Sequence, residues 1–267
     1  MKQELHSIGK NIMKIRILVA LSLCLLILCT QCLAEETDYF DWKGLKSYAS
    51  KNYTDSIAYF NIAIKQDPTY IDAWLHKGDA QRALKDYNGS IQSYEGALQQ
   101  KNDTKAAWAG IIEAYVAMSN YKQAAEAAGK IRMIEPNKKE NWLKEGSLLQ
   151  MAGDYRSALA KFDGALGLDS KYIDAMYRKA LSLMALENSS EAMDLLNQIL
   201  ARDPKQKGAR NALGLLYEAQ GEYSLAEEAF ENASQIDPKW GQPRINSVHS
   251  LAMQGKTNEA MKIFVML

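Results

Sequence analysis

The sequence predicts an all-α solenoid of antiparallel helix pairs, and three observations carry that prediction. Short phrases return at a fixed interval: YIDAWLHKGD at 70–79 comes back as YIDAMYRKA at 172–180, 102 residues or three periods of 34 later. Single residues keep the same beat, with Trp74, Trp108 and Trp142, then Tyr53, Tyr87, Tyr121 and Tyr155, and Ala124, Ala158, Ala192, Ala226 and Ala260 all at steps of 34. The phase runs from residue 37 to 267 without insertion or deletion, and a sustained period of this size is the mark of a repeat array.

Units starting at 37, 71, 105, 139, 173, 207 and 241 give six full repeats and 27 residues of a seventh, after a two-residue linker at 35–36. Within each unit the residue types predict a first helix (A) over positions 2–14 and a second (B) over positions 17–30. Position 8 is small where two helices cross (Gly44, Gly78, Gly146, Gly214), and position 24 is a large aromatic that fills the space (Phe60, Tyr94, Phe162, Phe230, Phe264). Large facing small is what a dense core requires. Asn52, Asp86, Asn120, Asp154 and Asn188 occupy position 16, where their side chains can accept from the free N–H groups opening helix B. Pro68, Pro136, Pro204 and Pro238 at position 32 end helix B, since proline cannot continue a helix. Repeat three departs, with Ile112 at position 8 and Ala128 at 24; repeat five has Ala180 and Leu196, with Ser189 at position 17. Repeat seven carries Pro243, which fits only a first helical turn.

Repeat six reads Leu213, Gly214, Tyr217, Gly221, Tyr223, Ala226, Phe230, Ala233 and Pro238 at positions 7, 8, 11, 15, 17, 20, 24, 27 and 32. With Trp74, Gly78, Tyr87, Tyr94 and Ala97 of repeat two, this pattern resembles the tetratricopeptide repeat, a helix–turn–helix module of 34 residues. The resemblance implies a right-handed superhelix whose A helices line an inner groove through positions 2, 5, 9 and 12, and which holds extended or helical segments of partner proteins. On that basis the groove residues are Asp72, Leu75, Asp79, Arg82 and Glu113 toward the acidic, polar first half. Tyr177, Leu181, Met184 and Asn211 follow in the more apolar later part. The Lys and Asn set with which some members of the family grip a C-terminal carboxylate is missing. A partner segment with a basic stretch and an apolar anchor fits this lining.

Composition sets the remaining bounds. Lys+Arg and Asp+Glu are 32 each, which argues against a nucleic-acid ligand, for which a basic surplus is the rule. Residues 17–34 (ILVALSLCLLILCTQCLA) are uncharged, follow Lys10, Lys14 and Arg16, and precede Glu35 and Glu36. This describes a secretory signal with a small-residue site at Cys32-Leu33-Ala34, or an uncleaved membrane anchor; Met13 is an alternative start. Both readings place the repeats outside the cytoplasmic membrane, at the cell surface, secreted or periplasmic. All three cysteines fall in this segment, so the repeats have no thiol chemistry.

The sequence predicts no enzyme, no cofactor and no metal site. His6, His76 and His249 do not group into the three or four ligands a metal needs, and neither a nucleophile elbow nor a phosphate loop is present. The expectation is a non-catalytic protein-interaction scaffold. The competing expectation is an accessory or assembly factor of a cell-envelope complex, with Trp74, Trp108 and Trp142 stacking on carbohydrate. Sequons stand at Asn52, Asn88, Asn102, Asn188 and Asn232; Asn102, in an inter-repeat turn, is the best glycosylation candidate, since Asn52, Asn88 and Asn188 suit caps and turns. The closing helix, with Met261, Phe264, Val265 and Leu267, predicts self-association, a partner, or continuation in a longer chain.

Overall fold

A computed structural model describes residue 22 and residues 35–265. The expected signal or anchor over residues 1–34 lies outside the described residues, Ser22 excepted. Among the described residues all regular structure is helical. A first compact unit, ending at Met118, holds α1 (35–49), α2 (Tyr53–Gln66), α3 (Ile71–Ala83), α4 (Tyr87–Gln100) and α5 (Lys105–Ala117). The second unit starts at Ser119. It holds α6 (Tyr121–Ile134), α7 (Lys139–Met151), α8 (Tyr155–Leu168), α9 (Ile173–Ala185), α10 (Ser189–Arg202), α11 (Lys207–Ala219), α12 (Tyr223–Ile236), α13 (Gly241–Met253) and α14 (Thr257–Val265).

Helix B runs over positions 17–30 as expected, whereas helix A occupies positions 1–13, one residue earlier than the sequence suggests. The shift comes from the turn before it. The position-34 N–H bonds the carbonyl of position 31, as in Tyr70 to Asp67 at 3.1 Å and Tyr172 to Asp169 at 3.1 Å. The position-31 side chain braces the same turn: Asp67, Asp169, Asp203 and Asp237 accept from the backbone N–H two residues on, at 2.8 to 3.1 Å. These Asx turns stop helix B and bring the chain into helix A at once. Pro243 falls inside the first turn of α13, where its missing N–H costs nothing.

Each A-to-B turn closes through a residue with positive φ at position 15. Gly153, Gly221 and Gly255 fill it in three repeats, but Lys51, Lys85, Ser119 and Glu187 adopt the same left-handed conformation. In repeat two the Lys85 N–H reaches the Arg82 carbonyl and the Asp86 N–H the Gln81 carbonyl, both at 2.9 Å, so the turn is a Schellman closure. Of the expected position-16 caps, Asn52, Asp86 and Asp154 accept from the N–H three residues on. Asn120 and Asn188 make no such bond.

The core repeats the large-against-small rule. Phe60, Tyr94, Phe162 and Phe230 are essentially fully buried. A methyl group on Gly78 would stand 2.6 Å from the Tyr94 ring, and one on Gly214 would stand 2.6 Å from Phe230. In repeat five, Ala180 and Leu196 are both fully buried: a larger residue at position 8 meets a smaller one at 24, and the combined volume is kept. They sit in a cluster with Met176, Leu183, Ile199 and Leu216.

The tryptophans at position 4 work between repeats. Their indole N–H groups donate to the position-32 carbonyls of Pro68, Asn102 and Pro136 at 2.9, 3.1 and 2.8 Å. The rings of Trp74 and Trp142 press on Gly96 and Gly164, where a Cβ would approach to 2.5 and 2.2 Å. Both polar and apolar parts of these side chains are thus engaged within the fold.

Candidate functional site: the inner faces of the A helices

Within the first unit α3 touches α5, and within the second α7 touches α9, α9 touches α11 and α11 touches α13; among the described helices of either unit no two B helices touch. Successive A helices therefore lie closer together than successive B helices, and each unit curves with its A helices inside. That geometry places positions 2, 5, 9 and 12 of each A helix on the inner side.

In the first unit, Asp72 is exposed and Leu75 half-buried on α3. They line an open depression of about 600 Å³ together with Tyr70, Thr104, Lys105 and Ala106. One turn further along α3, Asp79 and Arg82 join Glu113 of α5 in a single network. Arg82 donates to Asp79 Oδ1 at 3.0 Å and pairs with Glu113. Tyr94 donates its hydroxyl to the same Asp79 oxygen at 2.7 Å. Burial opposes the Arg82 charge, but its bonds to Tyr94 and Asp79 and the field of Glu113 more than compensate, and its pKa is raised. One cation thus answers two of the three predicted carboxylates, which leaves the face acidic chiefly through Asp72 and the exposed side of Glu113.

In the second unit, Tyr177, Leu181 and Met184 of α9 are half-buried and packed against the repeat-five core. The Tyr177 hydroxyl lies over Gly208 of α11, 2.8 Å from where a Cβ would stand, and burial pushes its phenol pKa up. Asn211 is the buried member of the predicted set, 8% exposed, and its side-chain oxygen accepts from Asn246 of α13 at 3.0 Å.

Asn211 belongs to a pattern that spacing within one helix does not reveal. Asp41 of α1 and His76 of α3 repeat it at the same 35-residue separation, 2.9 Å apart. A second rung joins positions 12 and 9 at a separation of 31: Arg82 with Glu113, and Glu218 with His249. Gln150, also at position 12, instead bonds the Arg178 carbonyl and the Ser182 hydroxyl of α9 at 3.1 and 3.0 Å. Polar groups on the inner face are therefore partly consumed in tying one A helix to the next. What stays open is acidic in the first unit and, around Tyr177, Leu181 and Met184, apolar in the second. His76 and His249 each bond one carboxylate, and among the described residues no three His, Cys, Asp or Glu side chains gather as a metal would need. Asn102 is exposed, its carbonyl held by Trp108. On α14, Met261, Phe264 and Val265 are exposed; Leu267 lies outside the described residues.

Sequence models of the tetratricopeptide repeat match residues 44–107, 149–216 and 208–240. The chain belongs to the tetratricopeptide-repeat family. Among curated proteins, anaphase-promoting complex subunit 3 of Schizosaccharomyces pombe is 26% identical over 189 residues, covering 71% of this chain and 28% of that protein. The chain spans about a quarter to a third of the length of the first such relatives. Among solved structures, a tetratricopeptide repeat protein from Parabacteroides merdae superposes with a TM-score of 0.62 at 15% identity, covering 87% of this chain and 92% of that one. YrrB, described as a TPR protein with an unusual peptide-binding site, gives 0.55 at 18% identity, covering 72% and 96%. At these identities the structures establish the likeness of fold.

Proposed function

We propose that this protein is a non-catalytic scaffold that binds partner proteins through the inner faces of its A helices. The observation that carries the reading is the open part of those faces: Asp72 and the outward side of the Arg82-paired Glu113 exposed on the first unit, and an apolar surface on the second that is half-buried rather than closed. The first suits a basic stretch of a partner and the second an apolar anchor. The kinship with a subunit of a multi-protein complex and with a peptide-binding repeat protein supports the same class. The proposed location, outside the cytoplasmic membrane, rests on the uncharged run at 17–34 alone.

The test compares proteins captured by the wild-type chain with those captured by two inner-face variants, Asp72→Lys/Glu113→Lys and Leu215→Lys, and by a helix-B control, Leu225→Lys. Leu215, on α11 at the position 9 that Leu181 holds on α9, and Leu225, on α12, are similarly exposed, at 38% and 45%. Loss of the same partner from both inner-face variants and its retention by the control supports the proposal. An identical set of captured proteins in all four overturns it.

A further inference from the structure

The face of α1 turned away from the core carries two exposed aromatic rings and two lysines side by side. Tyr39, Trp42, Lys43 and Lys46 stand at i, i+3, i+4 and i+7, hence along one side of the helix. Tyr39 is 48% and Trp42 54% exposed. Their rings stack at 6.2 Å, and the Lys43 and Lys46 ammonium groups lie 4.8 and 5.4 Å from the Tyr39 and Trp42 ring centres. Opposite them, Gly44 and Asp41 face inward, against Phe60 and His76.

The same positions in other repeats show what this face is not. Position 3 is Ala73, Ala107, Asn141, Ala175, Ala209 or Pro243, and position 10 is Ala80, Ala114, Leu148, Ser182, Leu216 or Ser250, uncharged in every case and all buried but the half-buried Asn141. On α1 those positions are Tyr39 and Lys46. A face that stacks on a preceding hairpin carries neither a charge nor an aromatic ring at these positions, so this one is not shaped to receive another repeat or the end of a second copy.

We propose that this face of α1 rests on a lipid bilayer, with Tyr39 and Trp42 in the headgroup layer and Lys43 and Lys46 reaching over it to the phosphates. Tyrosine and tryptophan suit that layer because each joins an apolar body to a polar tip, and lysine can lay its stem on apolar surface while its charge stays wet. On the anchor reading of the uncharged run 17–34, the chain brings the face there, because that run ends five residues before Tyr39. With residues 35–42 helical, Trp42 lies about 12 Å along the chain from that run, a distance comparable to the interfacial zone. Glu35 and Glu36 lie one turn earlier on the same side and offset the two lysines. The rings therefore carry the binding, which should depend little on salt or on anionic lipid. This inference stands apart from the proposed partner face.

Two measurements on the full chain test it. In phosphatidylcholine vesicles carrying a shallow spin-labelled lipid, the wild type is expected to lose a fluorescence component that is absent from Trp42→Phe, since the other four tryptophans sit in later repeats. Equal quenching of both proteins overturns the proposal. A Leu25→Arg/Leu26→Arg chain, whose apolar run can no longer insert, isolates the contribution of the face. In that background Tyr39→Ser/Trp42→Ser is expected to lower vesicle partitioning about tenfold with unchanged helicity, while 0.5 M NaCl, roughly enough to screen beyond 4–5 Å, changes it by less than about twofold. Partitioning that is unaffected by the serine substitutions, or that is abolished by salt alone, overturns the proposal, the former leaving a protein partner as the occupant of this face.

Discussion

The Tyr94 hydroxyl donates to Oδ1 of Asp79 at 2.7 Å, joining the core of repeat two to its inner face. The ring fills the space between Gly78 and Gly110, and its oxygen emerges where Arg82 also meets Asp79. Burial, and then the bond to Asp79, push the Tyr94 phenol pKa up to about 12. Tyr94→Phe keeps the packing and removes the bond. We expect a loss of about 1 kcal/mol, the usual worth of such a bond, read as a lower urea midpoint. The alkaline absorbance titration of the variant should lack one late-ionising phenol.

Gly78 holds the other side of that ring. A Cβ there would stand 2.6 Å from Tyr94, whose ring also lies close against the backbone of Gly110, where a Cβ would stand 2.2 Å from it. Gly78→Ala should therefore cost about 1–3 kcal/mol by overpacking. Gly167, exposed near the end of α8 with nothing within 4 Å of its Cβ position, is the control. Gly167→Ala should gain up to about 1 kcal/mol from helix propensity, so the two substitutions should move the urea midpoint in opposite directions.

This glycine–aromatic pairing was legible in the sequence because both partners recur with the period. So were helix B and the role of Pro243. The polar rungs were not legible. They join positions 5 to 6 and 9 to 12 of neighbouring repeats, so Arg82 with Glu113 and Asn211 with Asn246 look unrelated within any one helix. A search for complementary side chains 31 and 35 residues apart would have found them. For the same reason Asn211, chosen as a groove residue from its position alone, proved to be buried. The position-16 caps were partly legible: Asn52, Asp86 and Asp154 bond as their chemistry suggests, whereas nothing in the structure explains why Asn120 and Asn188 do not.

Position 15 was hidden for a different reason. Three glycines announce a left-handed turn there, but Lys51, Lys85, Ser119 and Glu187 conceal it, since the helix closure imposes the conformation whatever the residue. Each of these side chains stands at a φ of 59 to 64°, which costs an L-residue roughly 1–2 kcal/mol, while glycine costs about 0.5–1 kcal/mol in chain entropy. Lys85→Gly should thus stabilise by up to about 1 kcal/mol, and Gly153→Ala, at a φ of 79°, should destabilise by a similar amount. Paired thermal melts of the two variants against wild type check both signs.

The rung between Asp41 and His76 makes the first unit sensitive to pH. Burial opposes the imidazolium most strongly, but the hydrogen bond to Asp41 and the fields of Asp41, Asp72 and Asp79 outweigh it and raise the His76 pKa above the ordinary value of 6.5. A folded-state pKa above the unfolded one means that the native state binds the proton more tightly. The stabilisation is fully present below about pH 6.5 and is lost as pH rises through the higher native value. Urea midpoints measured from pH 6 to 8.5 should therefore fall with rising pH by more in the wild type than in His76→Gln, in which the titrating group is gone. The difference between the two proteins isolates this site from His249, which remains in both. Equal slopes would show that Asp41 does not hold a charged partner at His76.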